Sequence, residues 1–302
     1  MTATEAVALS IVGPTASGKS ALALELARRH RDLELVSVDS MQVYRGMDIG
    51  TAKPTKADQA EVPHHLIDLV DPDDEYTVSR FQDDLAVVLA AITARGHRAV
   101  LVGGTGLYLR AATDGLEIPG RYPAVRVELE AEPDTEALHR RLAGLDPVAA
   151  ARMEPTNRRR VVRALEVTVG SGRAFSDYGP GMGTYPPAAF PMVGLHRERD
   201  DVDARIAARY GEQLAAGFVA EVEGLRARPG GLSRTAGQAL GYRELLHHLD
   251  GASTLEEAID EAVTRTRRFA RRQQRWFRRD PRLVWVEAGH NALVAVDDLL
   301  RD

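Results

Sequence analysis

Residues 6 to 29 read AVALSIV-GPTASGKS-ALALELARR, an apolar run, a glycine-bearing loop and a stretch whose apolar residues recur at helical spacing. The first run predicts a buried strand, and the last predicts a helix. The loop between them, Gly13-Pro14-Thr15-Ala16-Ser17-Gly18-Lys19-Ser20, matches the pattern G-x-x-x-x-G-K-[ST] in the context that pattern requires. Its glycines let the backbone curl so that N–H groups converge on phosphate oxygens, and the following helix adds positive potential at its N-terminus. In that geometry Lys19 neutralises terminal phosphate charge, and the Ser20 hydroxyl can ligate Mg²⁺. The pattern specifies a diphosphate or triphosphate without saying which.

Working outward, Leu33 to Val38 is a second apolar run ending at Asp39, and Ala99 to Val102 is a third ending at Gly103-Gly104-Thr105-Gly106. Helical periodicity over Val78 to Ala94 lies between them. Strands alternating with helices, and ending in polar residues or glycine, predict an α/β fold with a parallel sheet of the P-loop type, its site at the carboxyl edge of the strands. There Asp39 can hold Mg²⁺ through water or take a proton from a nucleophile; it or Ser40 can equally cap a helix. The Thr105 hydroxyl and the amides around it are candidates for a phosphate.

The texture changes near residue 116. Short helical patterns near 124–131, 134–143, 147–153 and 157–169 precede a Gly/Pro-rich loop over 170–191. The expected organisation is a catalytic core from residues 1–115 and 193–302, with a small helical insertion domain at 116–192. Phe190 to Leu195 should return to the sheet. Long helices are expected at about 201–227, 234–249 and 254–279, and Leu283 to Val286 as a last strand.

The 302 residues are 44% apolar and 27% charged, which suits a chain with a full core and excludes disorder as its main state. With no cysteine, disulfides and thiolate metal sites are impossible. The start, MTATEAVALS, has no basic n-region, so it reads as a strand entry rather than a leader, and no segment has the apolar length of a membrane span. A cytoplasmic protein with no membrane partner is expected, a monomer by default. His64-His65 and His247-His248 are adjacent pairs whose side chains diverge, which suits core or surface positions better than a shared metal.

Net charge is −5, yet nine arginines lie between Arg265 and Arg282 against one acid, Asp280. Ile259, Ala262, Val263, Thr266, Phe269, Ala270, Gln273, Trp276 and Phe277 keep helical spacing on one face and leave the arginines to the others. That stripe, with Arg158-Arg159-Arg160 and Arg163 in the insertion, suits a nucleic-acid backbone; a solvated face or an anionic membrane surface are the rivals.

Beyond these features lie SVDSMQVYRGMDIGTAKP (37–54), PHHLIDLVDP (63–72), LVGGTGLYLRA (101–111), RRVVRALEV (159–167) and GYRELL (241–246). On these blocks, from about residue 6 to residue 279, the chain resembles the bacterial tRNA dimethylallyltransferases, also called tRNA isopentenyltransferases. The resemblance implies transfer of a dimethylallyl group from dimethylallyl diphosphate to N6 of the adenosine just 3′ of the anticodon (adenine-37), in tRNAs reading codons that begin with U. Mg²⁺ is the implied cofactor, and the tRNA anticodon stem-loop the implied partner.

The resemblance further implies Asp39 as general base, with Lys19, Thr105 and Arg209 at the diphosphate in a loop that would hold the allylic donor in place of ATP. It implies RNA contacts from Asp39, Ser40, Met41 and Gln42, from Thr105, Arg126, Arg159, Arg160 and Arg163, and from Gln238, Gly241, Tyr242 and Arg243. The chain departs from the family at Gln238, where members often carry Arg. It departs again in RTRRFARRQQRWFRRD, where Arg268 and Arg272 with Gln273 keep the charge but change the donor geometry. Two readings from other classes stand beside this one: a kinase or switch binding ATP or GTP, on the loop alone, and a non-catalytic RNA-binding protein, on the arginine stripe.

Overall fold

A computed structural model describes residues 6–301; Met1–Glu5, included above in the reading of the chain's start, lie outside the described residues. Six strands form one parallel sheet: β1 Val7–Val12, β2 Leu33–Val38, β3 His64–His65, β4 Arg98–Gly103, β5 Met192–His196 and β6 Leu283–Glu287, in the order β3-β2-β4-β1-β5-β6. The helices are α1 Lys19–Arg29, α2 Lys56–Glu61, α3 Val78–Ala94, α4 Gly106–Thr113, α5 Pro123–Ala131, α6 Thr135–Leu145, α7 Pro147–Ala151, α8 Arg158–Ser171, α9 Arg199–Ala215, α10 Phe218–Arg226, α11 Tyr242–Leu249, α12 Leu255–Phe277 and α13 Ala292–Arg301.

A parallel sheet must be covered on both faces, and alternation along the strands does this. Leu9, Ile11, Leu33, Leu35, Val100, Val193 and Leu195 pack with Ala23, Leu26 and Ala27 of α1 and Val296 of α13. Val36, Val38, Ala99, Leu101 and Met192 belong to the other layer, with Phe81, Leu85, Leu89 and Ile92 of α3 and residues of α9 and α12. The chain divides into two compact units, one up to Asp114 and from Pro187 onward, the other from Gly115 to Pro186. The second unit has its own core of Leu129, Leu138, Leu142, Val161, Val162 and Leu165.

Several helix ends are written locally. Thr77 accepts from the Arg80 amide at the start of α3, and Thr254 and Glu257 form a capping box on α12. The continuous helix expected over 201–227 is instead two, because Gly217 takes φ +96° and ends the first. The helix expected from 234 begins only at Tyr242: a short 3₁₀ turn over Ala236–Gln238 precedes it, and Gly241 at φ +85° redirects the chain. Four elements that the sequence did not predict are α2, the two-residue β3, α4 and α13. The first three sit in stretches whose motifs masked a weak period, and α13 lies beyond the last expected strand.

At the amino end of β2, Glu34 is buried and accepts hydrogen bonds from Arg95 at 2.9 and 2.7 Å, with His65 and His97 at 2.5 and 2.8 Å. Burial pushes its pKa up, but these partners outweigh burial and hold it at about 2. Among the described residues no helix is long and apolar enough to cross a membrane.

Candidate active site

The loop after β1 runs directly into α1. Gly18 at φ +98° caps the helix, and Ala16 is also left-handed at φ +63°, a conformation that costs a non-glycine residue free energy and is kept only where its surroundings enforce it. Two arginines enforce it from outside: Arg197 Nε donates to the Ser17 carbonyl at 3.1 Å and Arg205 Nε to the Ala16 carbonyl at 3.0 Å. Drawing carbonyls outward turns the loop amides toward the interior of the curl, which suits an anion. Sequence reasoning missed both arginines, since Arg197 precedes α9, Arg205 is one of three on it, and neither belongs to a motif.

Inside the loop, Lys19 Nζ reaches the Pro14 carbonyl at 3.3 Å. Burial lowers its pKa to about 8; Asp39 pulls it up and Arg209 pushes it down. Arg209 feels the same surroundings: burial lowers its pKa, with Tyr210 and Asp39 opposing. Lys19, Asp39 and Arg209 therefore converge at the carboxyl edge of β1 and β2. The Arg209 Nε and the Ser17 Oγ are both buried without a hydrogen-bond partner. Buried donors left unsatisfied in a site of two cations are the arrangement an anionic ligand completes.

Asp39 follows β2 and its Oδ1 accepts from the Met41 amide at 2.8 Å, a local turn that aims the carboxyl. Next to it, the Ser40 amide donates to Thr105 Oγ1 at 3.2 Å, and the Thr105 amide returns a bond to the Val38 carbonyl at 3.2 Å. The ends of β2 and β4 are thus laced together. The glycines around Thr105 serve packing: a Cβ on Gly103 would collide with Val38, one on Gly104 with Gln273 and one on Gly106 with Trp276. Gln273, placed by its spacing on the core face, accepts from the Thr15 amide and donates to the Gly104 carbonyl, each at 2.9 Å. A glutamine on an otherwise apolar stripe was the one sign of it.

The GMDIGTAKP block is held from several sides. Glu221 accepts from the amides of Asp48, Ile49 and Gly50 at 2.9, 2.8 and 3.3 Å and from the Tyr242 hydroxyl at 2.6 Å. Gln213 donates to the Ile49 and Gly50 carbonyls, and buried Lys53 bonds Asp48, Asp68 and the Tyr44 carbonyl. A Cβ on Gly50 would strike Phe218 and Tyr242. Gln42 lies against this block, donating to the Thr51 and Ala52 carbonyls at 3.3 Å and accepting from Ser37 Oγ at 2.9 Å.

The residues expected to meet RNA sort into two kinds. Arg159, Arg160 and Gln238 are exposed, and Met41, Ser40 and Arg243 partly so. Tyr242 is fully buried, edge-on to Phe218, and Gly241 is buried beside it, where the two close α11 onto α10. In the second unit, Arg126 and Arg163 donate to buried Glu166 at 3.4 and 2.8 Å, because a buried carboxylate requires partners.

The arginine stripe divides likewise. Arg265 pairs with Glu244, Arg271 with Asp203, and Arg282 with Asp114 and Asp280, while Arg267 donates to the Asp203 carbonyl. Arg268, Arg272, Arg275, Arg278 and Arg279 are exposed. Of the histidine pairs, His64 bonds the Val62 carbonyl while His65 faces Glu34, and His248 bonds the Ser253 carbonyl.

A family model described as IPP transferase matches residues 42–280, and one described as isopentenyl transferase matches residues 6–68. The chain belongs to the IPP transferase family. Among IPP transferases it is 50% identical over 288 residues to the tRNA dimethylallyltransferase of Kineococcus radiotolerans, covering 93% of this chain and 90% of that one. The tRNA dimethylallyltransferase of a Nocardioides species is 48% identical, over 95% and 93% of the two chains. Of solved structures, the full-length tRNA isopentenylpyrophosphate transferase of Bacillus halodurans matches with TM-score 0.70 at 38% identity, over 97% of this chain and 95% of that one. A eukaryotic dimethylallyltransferase acting on tRNA matches with TM-score 0.77 at 25% identity, over 97% and 76%. The fold expected from the sequence, a parallel α/β core, is that of this IPP transferase.

Proposed function

We propose that this chain transfers a dimethylallyl group from dimethylallyl diphosphate to tRNA, at N6 of the adenosine 3′-adjacent to the anticodon in tRNAs reading codons that begin with U. The observation that carries the chemistry is the convergence of Lys19, Arg209 and the Gly13–Ser20 loop on one side of Asp39, with the Arg209 Nε buried and unsatisfied. Two cations and a curled loop suit a diphosphate, and one carboxylate beside them suits a proton acceptor.

An exocyclic amine is a weak nucleophile because its lone pair is delocalised into the ring. Asp39 takes the N6 proton as the new N–C bond forms, while the allylic C–O bond breaks and its electron pair leaves on the diphosphate. Charge accumulates on the departing oxygen, and Lys19, Arg209 and the loop amides stabilise it in place. Thr105, through Ser40, keeps the carboxylate aimed.

Mg²⁺ fits the residues present. The Ser20 hydroxyl opens α1 on an exposed position, Asp39 supplies a nearby carboxylate, and a phosphate-bound Mg²⁺ needs only one or two protein oxygens. When bound it would neutralise charge on the diphosphate.

On the RNA side, Arg159 and Arg160 of the insertion and the exposed arginines of α12 are suited to phosphates of the anticodon stem-loop. An adenosine in a loop can leave its stack for a few kcal/mol, and residues 39–42 would receive it. The test is incubation with dimethylallyl diphosphate, Mg²⁺ and unmodified tRNA. A nucleoside heavier by one C5 unit at the position 3′ of the anticodon is expected; no product with a tRNA reading U-initial codons, or consumption of ATP instead, overturns the reading.

A further inference from the structure

One buried side chain joins the two halves of the site. Gln273 is 8% exposed, and both ends of its carboxamide are bonded: Oε1 accepts from the Thr15 amide of the glycine-rich loop, and Nε2 donates to the Gly104 carbonyl. Gly104 precedes Thr105, whose hydroxyl accepts the Ser40 amide next to Asp39. Hydrogen bonds and adjacent peptide links therefore connect the loop that would hold the diphosphate, through Gln273, to the turn that carries the carboxylate that would take the proton. The approach is close enough that Gly104 has no room for a side chain. Arg272 and Arg275 on the same helix are exposed, so Gln273 differs from its neighbours in being buried.

We propose that Gln273 is a positioning residue for the transfer reaction, setting the separation between the Gly13–Ser20 loop and Asp39. The assignment rests on the prenyl-transfer reading of the site. Freed of it, the two loops move independently, and a near-attack geometry is lost more than binding is.

Gln273→Met keeps length and packing while removing both hydrogen bonds; Gln273→Glu keeps shape and the acceptor for Thr15 but faces an oxygen at the Gly104 carbonyl. For either variant, kcat at saturating donor and tRNA should fall about tenfold or more, and affinity for Mg²⁺-diphosphate by calorimetry about threefold for each missing hydrogen bond of ordinary net strength, two in Gln273→Met and one in Gln273→Glu. Affinity for tRNA should stay within about twofold, as expected of a buried residue whose carboxamide bonds two backbone groups. Gly104→Ala, which displaces the carboxamide from the opposite side, should reproduce the pattern and serves if either glutamine variant fails to fold. A folded variant with wild-type kcat and diphosphate affinity overturns the assignment. So does one that loses tRNA affinity alone, since that makes Gln273 an RNA-binding residue. Wild-type protein that forms no prenylated tRNA overturns the functional reading instead, while the diphosphate comparison still tests the clamp.

Discussion

The Ser40 amide donates to Thr105 Oγ1 at 3.2 Å, although 65 residues separate them. This bond ties the turn that carries Asp39 to the end of β4, so Thr105 acts on the carboxylate through the backbone. Thr105→Val, nearly the same in shape, should lower kcat by about fivefold while Thr105→Ser retains most of it, the loss reflecting one hydrogen bond of about 1 kcal/mol. Single-turnover rates with saturating tRNA check this. Loss in Thr105→Ser with near-normal rates in Thr105→Val would show that the methyl group, not the hydroxyl, matters.

Asp39→Ala should slow the chemical step by about 100-fold or more, the usual weight of a general base. Diphosphate binding should persist, because the cations and loop amides remain. Rapid-quench rates beside calorimetric affinities separate the two effects, and near-normal turnover would reassign Asp39 to structure.

Lys19 has its pKa lowered to about 8 by burial, so in the free protein it loses its charge as pH rises through that value. An anion stabilises the charged form and raises the pKa. Binding of diphosphate above pH 8 should therefore take up close to one proton, and affinity should fall with rising pH. Calorimetry in buffers of different ionisation enthalpy reads the proton directly; Lys19→Met should abolish the uptake.

The exposed arginines of α12 and the paired ones should respond differently. Replacing Arg268, Arg272 and Arg275 together by Ala should weaken tRNA binding and reduce its salt slope by up to about three, one for each phosphate no longer neutralised. Arg271→Ala removes one partner of Asp203 and should leave the salt slope nearly unchanged. Filter binding across a salt series distinguishes them.

Glu34 makes the amino edge of the sheet acid-sensitive. Its folded pKa of about 2 lies below the ordinary 4.5, so its charge stabilises the fold fully above 4.5 and progressively less as pH falls toward 2. Glu34→Gln should cost on the order of 2 kcal/mol at pH 7, with Arg95, His65 and His97 left short of a carboxylate. The difference from wild type in urea midpoint should shrink as the pH is lowered through that window. A constant difference would mean packing, rather than charge, holds the cluster.

The sequence by itself settled the parallel α/β core, the glycine-rich loop between β1 and α1, the position of Asp39 at a strand end and the helical character of residues 124–169. Each rests on a period or a short motif, information held within a dozen or so consecutive residues. Tertiary structure decided the partners: that Gln273 reaches Thr15 across 258 residues and Gly104 across 169, that Glu221 holds the loop around Ile49, and that four of nine arginines in one stripe are paired with other segments. Helical spacing fixes which face a side chain lies on, not what another segment brings to that face. Tyr242 and the glycines of the Thr105 loop, whose motifs suggested ligand binding, are held in place by neighbouring side chains.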